Sequence, residues 1–386
     1  MGNTVKLSPQ NRYAPIRYEA TRPFAVQLGR RFMAETAGKT DEQRGIYIAT
    51  QWFPLVRDAM VNLGEFAARS GPGPGQAEMN NLQVFGGYQA AGRVIFDVRK
   101  ELSCSLLITD AQDIPCNALV LPCDAFYIHF GQGTGLVDQG FEIEGVFVNK
   151  LAQTSTEPPR LLVDAVPTGF FAIREFWSLP MGEGLTGVSI NLSNPDEPIV
   201  DALNRSIDDI VEHNKAVYAQ HEEFERTLSV KYGKPVKVPT PIDNLGDKRD
   251  LLARVLQLTT NTLFFLAAEP DDVYEDWDLS APSDLIQQTH SDKAGTRRTA
   301  ENTLVKQGYV KVRYVGGQYA ASIRNEHSSI HESTGKTVTT HFRHGHFRRQ
   351  PYGPERTLRK TIFIAPVLVN PGQGELPGRI YEVSGG

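Results

Sequence analysis

Five of the nine histidines lie within one 20-residue window, at His327, His331, His341, His344 and His346. Basic residues surround and follow them, at Arg343, Arg348, Arg349, Arg356, Arg359 and Lys360. A neutral imidazole binds transition metals or transfers protons near neutral pH, and a guanidinium binds phosphate through two parallel hydrogen bonds. The cluster therefore indicates a metal site, a phosphate site or a nucleic-acid surface.

The stretch from Val338 to Phe347 is predicted to be a strand, in which alternate side chains point to opposite faces. One face of that strand has two imidazoles and a guanidinium in a row, from His344, His346 and Arg348. Aromatic rings are interleaved with the cations, at Phe342, Phe347 and Tyr352. Arginine combined with aromatic rings is typical of surfaces that contact phosphates and stack on bases.

We predict that this region contacts RNA through its phosphates. The predicted contact residues are Arg343, His344, His346, Arg348, Arg349, Tyr352, Arg356, Arg359 and Lys360. The sequence predicts no catalytic residue, no metal ligand and no cofactor.

Two other interpretations of the histidines stay open. In the first, His344 and His346 are the centre of a metal-assisted nuclease or other phosphoester hydrolase. The metal would need a further ligand such as His327 or His331, but the Ser, Thr and Gly residues around them favour a loop over the helix that would align them. In the second, the histidines only hydrogen-bond to their neighbours within a polar strand.

Two further clusters of ligand-type residues are predicted not to be metal sites. The acidic one comprises Glu269, Asp271, Asp272, Glu275, Asp276 and Asp278. Carboxylates can hold a divalent cation, but a solvated charge run after a helix end is commoner. The other comprises Cys116, Cys123 and His129, which lack a CxxC pair and are predicted to pack in the core.

Familiar catalytic motifs are missing from the sequence. It contains no GxxxxGK[ST] loop, no GxSxG elbow, no HExxH pair and no GxGxxG after a strand. Their absence argues against a nucleotide hydrolase, an α/β hydrolase or a dinucleotide enzyme, although it leaves room for an enzyme with an unfamiliar site. Whether the protein is an enzyme therefore stays open, and a non-enzymatic role is favoured.

Apolar periodicity indicates where the secondary structure lies. Apolar residues recur every three or four positions in predicted helices at Ile46 to Ala68, Gln89 to Leu107, Lys248 to Ala268 and a long helix with Asp196 as N-cap. Short runs rich in Val, Ile and Phe predict strands at Ala125 to Phe130, Phe141 to Val148, Leu161 to Val166, Gly169 to Trp177 and Val188 to Leu192. Because no helices separate these strands, the sheet is predicted to be antiparallel.

The predicted fold class is α+β, with an antiparallel sheet, flanking helices and a small basic β-rich C-terminal module. Strands of that module are predicted at Tyr309 to Tyr314, Val338 to Phe347 and Thr361 to Leu368. Two domains are predicted: an acidic α+β body over residues 1–291 and a basic, His- and Arg-rich β module over residues 292–386. The polar segment from Asp271 to Ser291 is interpreted as their connection.

The charge of the sequence is divided unevenly between those two parts. Residues 292–386 contain 15 Lys and Arg against 7 Asp and Glu, a net charge of +8. The remaining 25 basic and 38 acidic residues give residues 1–291 a net charge of −13. Such asymmetry is expected of a protein with a basic patch for nucleic acid, and also of one whose two parts attract each other.

The expected compartment is the cytoplasm, without a membrane partner. The first residues contain no apolar run typical of a signal peptide, and no later stretch approaches the roughly 18 apolar residues of a membrane span. Three cysteines, Cys104, Cys116 and Cys123, are an odd number, so a disulfide framework is not expected.

The C-terminal part resembles a known family. The resemblance rests on Gly345-His346-Phe347-Arg348-Arg349-Gln350, Tyr352-Gly353, Ile362-Phe363-Ile364-Ala365-Pro366, Gly372 and Arg379-Ile380-Tyr381-Glu382-Val383, with weaker likeness at Thr260-Asn261-Thr262-Leu263 and Ala125-Phe126-Tyr127-Ile128. These residues look like those of a phage- and plasmid-borne anti-CRISPR family that lowers production of the type V CRISPR effector nuclease by acting on its transcript. The resemblance implies a regulator that recognises a nascent polypeptide or ribonucleoprotein, and it transfers no catalytic residue.

The leading hypothesis is therefore a regulatory protein of a mobile genetic element. Its acidic body would recognise a protein or nascent polypeptide, and its basic module would contact RNA. A metal-assisted hydrolase and a non-catalytic protein-interaction module are the alternatives.

Overall fold

A mixed β-sheet organises the molecule, of which the computed structural model describes residues 11–21, 23–47, 50–51, 54, 81, 84–138, 140–151, 159–169, 186–235, 248–329 and 341–369. Its strands are β1 (Ile95–Val98), β2 (Ala125–His129), β3 (Val137–Asp138), β4 (Phe141–Leu151), β5 (Arg160–Pro167), β6 (Thr186–Asn191), β7 (Val273–Trp277) and β8 (Lys311–Val315). The strand order is β6-β5-β4-β2-β1-β8-β7, and β3 pairs with β4 outside this path.

Helices cover the sheet, and a smaller group of strands follows it in the chain. The helices are α1 (Ala14–Thr21), α2 (Pro23–Thr36), α3 (Asp41–Tyr47), α4 (Lys100–Leu107), α5 (Ile199–Tyr232), α6 (Arg249–Ala268), α7 (Ser283–Thr289), α8 (Ala294–Lys306) and α9 (Gly317–Ser329). Residues 84–90 are also helical. The later strands are β9 (His341–Arg343), β10 (His346–Tyr352), β11 (Leu358–Ile364) and β12 (Val367–Val369). The predicted α+β fold class is thus confirmed.

Both faces of the sheet are buried. On one face, side chains such as Phe126, Ile128 and Val146 form a core with α4, α5 and α6. On the other face, Tyr127 and Phe147 form a second core with α1 and the helical segment 84–90. Because alternate residues of a strand point to opposite sides, the central strands must be apolar on both sides, which explains their continuous Val, Ile and Phe runs.

The sheet is mixed, whereas the sequence predicted a purely antiparallel sheet. β1 runs parallel to both of its neighbours, β2 and β8, whereas the other pairs are antiparallel. The prediction was wrong here because β1 lies inside the segment predicted as a helix from Gln89 to Leu107. Gly92 and Arg93 have positive φ angles of 94° and 61°, which end the helix before β1.

The strongly periodic helices are confirmed, with shifted ends. The long helix begins at Ile199 rather than next to Asp196, and it ends before Gly233, whose φ of 64° suits a glycine that closes a helix. The predicted helix from Lys248 to Ala268 is α6. Most of the predicted helix from Ile46 to Ala68, and the predicted strand from Gly169 to Trp177 after its first residue, lie outside the described residues.

Helix α6 is more apolar than expected, since the sequence was predicted to contain no stretch that approaches a membrane span. Within the part of the chain that the structure describes, it is the one helix long and apolar enough to cross a membrane by length and composition. In the structure 61% of its apolar window is buried, and Leu258, Leu263 and Phe264 are fully enclosed in the core. Its apolar character is accounted for by packing inside the protein.

The predicted connection from Asp271 to Ser291 is regular structure instead. It contains a 3-10 turn at Pro270–Asp272, strand β7 and helix α7. The predicted domain boundary at residue 291 falls between α7 and α8, and β8 on its C-terminal side pairs with β1 and β7. The division into an acidic body and a basic module stays a prediction.

Candidate nucleic-acid interface

Most of the predicted contact residues lie on one β-hairpin. Strand β10 pairs antiparallel with β11, in a register that sets Arg348 opposite Ile362 and Tyr352 opposite Leu358. The two strands are joined through Gly353 and a 3-10 turn at Pro354–Arg356. The hairpin places cations close together although ten or more residues separate them in the sequence.

An aromatic cluster anchors the base of the hairpin to the core. The ring of Phe347 in β10 lies 5.2 Å from that of Phe363 in β11 and 5.5 Å from that of Phe264 in α6. Phe363 also packs 5.3 Å from Phe265 of α6 and 5.8 Å from Tyr319 of α9. Since Phe347 is only 3% exposed, the contact fixes β10 firmly on α6.

Main-chain hydrogen bonds hold the start of β10 as well. The Asp110 N–H donates to the Gly345 carbonyl, and the Phe347 N–H donates to the Asp110 carbonyl, both at 2.9 Å. A Cβ at Gly345 would lie 2.8 Å from Pro366 Cδ and 2.8 Å from Thr109 Oγ1. Only glycine therefore fits where the chain passes between these two neighbours.

The continuous strand predicted from Val338 to Phe347 is broken at this point. β9 ends at Arg343 and pairs with β12, while β10 begins at His346 and pairs with β11. His344 lies between the two strands, with Nδ1 3.4 Å from the Ile108 carbonyl oxygen. The predicted straight row of His344, His346 and Arg348 is therefore not formed, because tight packing at Gly345 redirects the chain.

The cations of the hairpin are divided between its two faces. Alternation along β10 and the strand register put Arg348 and Lys360 on the same face as Tyr352 and Leu358. Arg349 and Arg359 lie on the opposite face, which also contains the buried Phe347. The face with Arg348 and Lys360, which we call the outer face, has an aromatic ring available, since Tyr352 is 44% exposed.

Most predicted contact residues reach solvent. Arg343, His344, Arg348, Tyr352, Arg356, Arg359 and Lys360 are exposed, and His346 and Arg349 are half-buried. The hydrogen bonds of the guanidinium groups go to neutral oxygens: Arg348 donates to Gln350 Oε1, Arg349 to Asn117 Oδ1, and Arg359 to the Arg356 carbonyl. These groups keep their positive charge available for an anion.

Of the three aromatic rings predicted to stack on bases, one is now excluded. Phe347 is buried in the anchor and cannot stack on a base, whereas Tyr352 is exposed. The side chain of Phe342 lies outside the described residues. Sequence reasoning missed the anchoring role of Phe347 and Phe363. For Phe347 a signal was available, because it is an apolar residue between His346 and Arg348, as expected where one face of a strand is buried.

The metal interpretation gains no support from the described histidines. In the described ranges, no three His, Cys, Asp or Glu side chains are placed to hold a metal ion together. His331 lies outside those ranges, as do the side chains of His327 and His341.

Residues of the acidic cluster and of the cysteine and histidine cluster have partners within the fold. The acidic run is not solvated throughout, because Asp272 and Asp278 are buried. Asp272 accepts hydrogen bonds from the Gln318 and Tyr319 N–H groups at 2.7 and 2.9 Å, so it caps α9. His129 accepts a hydrogen bond from Arg12 Nε at 3.1 Å, and burial, reinforced by Arg12 and Arg17, lowers its pKa to about 3. Cys116 and Cys123 are free thiols.

Comparison with known proteins gives one match to a family. The model of the AcrVA2-like family, described as the anti-CRISPR type V subtype A2 family, matches residues 96–371. Among solved structures, the "Crystal structure of AcrVA2" is similar at 13% identity and a TM-score of 0.43, over 92% of this chain and 98% of that one. No curated protein sequence matches the chain.

Proposed function

This chain belongs to the AcrVA2-like anti-CRISPR family and so has a role in counter-defence, and we propose that it acts as a regulatory protein that recognises a protein or nascent polypeptide and contacts RNA. In this proposal the acidic part of the chain recognises the polypeptide, and the β10–β11 hairpin contacts RNA phosphates. The protein would be carried by a phage or plasmid and would act in the cytoplasm.

The RNA half of the proposal rests on the exposed cations of the hairpin. Arg356, Arg359 and Lys360 lie at or next to the hairpin tip, close to the exposed ring of Tyr352. Arg348 lies on the outer face of β10, four residues before Tyr352. Arginine and lysine bind the phosphates of any sequence, and an exposed tyrosine stacks on an unpaired base. Single-stranded RNA, which offers both groups, suits this surface better than a duplex does.

The polypeptide half rests on charge. Residues 1–291 have a net charge of −13, which repels nucleic acid and favours a partner with positive groups. A protein with oppositely charged surfaces can bind a polypeptide and an RNA at the same time without competition between them. That arrangement suits a nascent polypeptide that is still attached to the ribosome and its messenger RNA.

The experiment for the RNA contact is a salt titration of single-stranded RNA binding. Each phosphate contact contributes about −0.7 to the slope of log affinity against log salt. Replacing Arg348 and Arg349 together by Ala should weaken binding to unrelated sequences alike and flatten that slope by roughly 1 to 2 units. The matched control is Lys215→Ala with Arg226→Ala, which removes two exposed cations from α5.

An unchanged slope and affinity in the Arg348 and Arg349 variant would place the RNA contact elsewhere. If the wild-type protein binds no RNA at low salt, the RNA half of the proposal fails, and the hairpin is a surface for protein contacts.

A further inference from the structure

Strand β7 forms one edge of the large sheet. The strand order ends at β7, and its neighbour in the described sheet is β8. An edge strand has a row of main-chain N–H and C=O groups that its own sheet does not use. Such a row can pair with an extended segment of another polypeptide.

The hydrogen bonds at the two ends of β7 show which of its main-chain groups point away from β8. The Gly316 N–H donates to the Asp272 carbonyl, and the Asp278 N–H donates to the Val310 carbonyl, both at 3.0 Å. In an antiparallel pair, the residues that bond across the pair recur at every second position. Between Asp272 and Asp278, the even-numbered residues therefore bond to β8 and the odd-numbered ones face away from it.

Two of the outward-facing residues are open to a partner. The outward main-chain groups of Val273 and Glu275 have no hydrogen-bond partner among the described residues. Val273 is half-buried and Glu275 is exposed, so solvent reaches this stretch. At the next outward position, the Trp277 N–H donates to Asp276 Oδ1 at 2.7 Å and is already occupied. The open edge is thus centred on Glu275.

The side chains along this edge are acidic and aromatic. The segment from Glu269 to Asp278 contains six carboxylates and no Lys or Arg. Glu275 points to one face of the strand, and Tyr274, which is 46% exposed, points to the other. Glu275 lies 4.0 Å from Lys311 and 3.6 Å from Arg313 of β8, but ion pairs this long and this exposed are weak. The Glu275 carboxylate can therefore meet a cation from outside.

The same charges disfavour a second copy of this chain as the occupant. Antiparallel pairing of β7 with itself would set the carboxylates of Glu275 and Asp276 against their own counterparts, and like charges on facing strands are destabilising. A segment with a positive side chain gains where a second copy loses. A polypeptide that has not yet folded is also suited to this edge, because its main-chain groups are still unpaired.

We propose that the β7 edge binds an extended segment of the partner polypeptide as an additional antiparallel strand, with a Lys or Arg side chain opposite Glu275 and apolar neighbours against Tyr274. The inference deepens the polypeptide recognition proposed above and rests on it. Main-chain hydrogen bonds to Val273 and Glu275 supply affinity for any extended chain, and the Glu275 carboxylate selects for positive charge.

The first test uses short peptides and nuclear magnetic resonance of the full chain. The probe is acetyl-Thr-Val-Lys-Val-Thr-amide, and its control has glutamate in place of lysine. At constant ionic strength, the lysine peptide should shift the main-chain amide signals of Val273 and Glu275. It should also slow the hydrogen exchange of these two amides, because they become bonded. The glutamate peptide should do neither.

Two methylated probes test the strand pairing on the wild-type protein. When the lysine lies opposite Glu275 in an antiparallel pair, its N–H faces β7, whereas the N–H of the following valine faces away. A methyl group on the lysine nitrogen should weaken binding about tenfold or more, because a hydrogen bond is lost and the methyl group blocks the approach of the strands. The same methyl group on the valine nitrogen should have much less effect. Equal affinities of the two methylated peptides would overturn the proposal.

Variants at Glu275 separate the charge from the main chain. Glu275→Gln removes the charge alone and should weaken binding of the lysine peptide about threefold. Glu275→Pro also removes the outward N–H and should weaken binding about tenfold or more, while the sheet tolerates it because β8 does not use that group. Glu222→Gln removes an exposed carboxylate from α5 and should leave binding unchanged.

The proposal fails if Glu275→Pro binds the lysine peptide as tightly as the wild type does. If the peptide then shifts other signals, polypeptide recognition stands and the edge is not its site; if it shifts none, both are contradicted. A free protein that sediments as a dimer, and as a monomer after Glu275→Pro, would mean that a second copy occupies the edge. RNA binding should be equal in Glu275→Pro and wild type, which shows that the variant is folded.

Failure of the RNA experiment alone leaves the β7 edge standing, because the hairpin and β7 are separate surfaces in the chain.

Discussion

Phe347 of the hairpin and Phe264 of α6 pack with their ring centroids 5.5 Å apart. Through this contact the β10–β11 hairpin shares the main core. The hairpin therefore has one buried aromatic residue at its base and one exposed aromatic residue, Tyr352, near its tip. The two residues make a matched pair for separating stability from recognition.

Replacing Phe347 by Ala should lower the free energy of unfolding by about 3 to 5 kcal/mol, because a large ring leaves a cavity between α6 and β11. Tyr352→Ala should change it much less, by about 0.5 kcal/mol, since Tyr352 is 44% exposed and lies outside the core. Chemical denaturation followed by circular dichroism measures both. Equal losses in the two variants would contradict the anchoring role of Phe347.

The two faces of the hairpin should contribute unequally to RNA binding. Arg348→Ala with Lys360→Ala removes both cations from the outer face, and Arg349→Ala with Arg359→Ala removes two from the opposite face. We expect the first pair to flatten the salt slope by roughly 1 unit or more and the second to have less effect, because Arg349 is half-buried beside Asn117. A larger effect of the second pair would reverse the assignment of the interface.

Asp164 should make the stability of the protein depend on pH in an unusual direction. Burial in β5 without a charged partner raises its folded pKa to about 7, above the unfolded value of about 3.9, so the folded state holds the proton more tightly. Stability is therefore highest with the carboxyl protonated and falls as pH rises from about 4 to about 7. The full cost above that range is on the order of 4 kcal/mol.

Asp164→Asn should consequently stabilise the protein at about pH 8 and change its stability little at about pH 4. Thermal unfolding at the two pH values measures this, with Asp124→Asn as the control of equal charge. A variant that is destabilised at pH 8 would mean that the carboxylate has a stabilising partner after all.

The cap of α9 offers a second stability test. Asp272 accepts two backbone N–H groups of the first turn of α9, and it is 8% exposed. Asp272→Ala should cost about 1 to 3 kcal/mol, because those donors would be left buried without an acceptor. Its exposed neighbour provides the control, since Asp271→Ala should cost about 0.5 kcal/mol or less. Similar costs for both variants would rule out the capping role.

The elements with strong local signals were predictable from the sequence. Helix α6 has an apolar residue at nearly every third or fourth position and Pro270 just beyond its end. The strands β2, β4, β5 and β6 coincide with short runs rich in Val, Ile and Phe that Gly and Pro separate. In each case propensity and periodicity point to the same structure. The clustering of cations near residue 350 was equally visible, because it is a matter of composition.

The missed features depend on contacts between distant residues. β1 is a run of four buried residues, too short for periodicity to distinguish it from a helix. The break at Gly345 is caused by Pro366 and Thr109, and the isolation of Asp164 follows from its register against Gly187. Nothing adjacent to these residues in the sequence indicates such neighbours.

The position of β8 in the sheet has a consequence for the synthesis of the protein. β1 is complete at Val98, but its second parallel neighbour, β8, begins only at Lys311. A chain still emerging from the ribosome therefore has one edge of β1 unpaired until more than two hundred further residues have been made. Prematurely terminated chains would present that edge to other molecules, as an unpaired strand does in aggregation. The finished sheet, and any activity that needs it, can arise only after β8 has been synthesised.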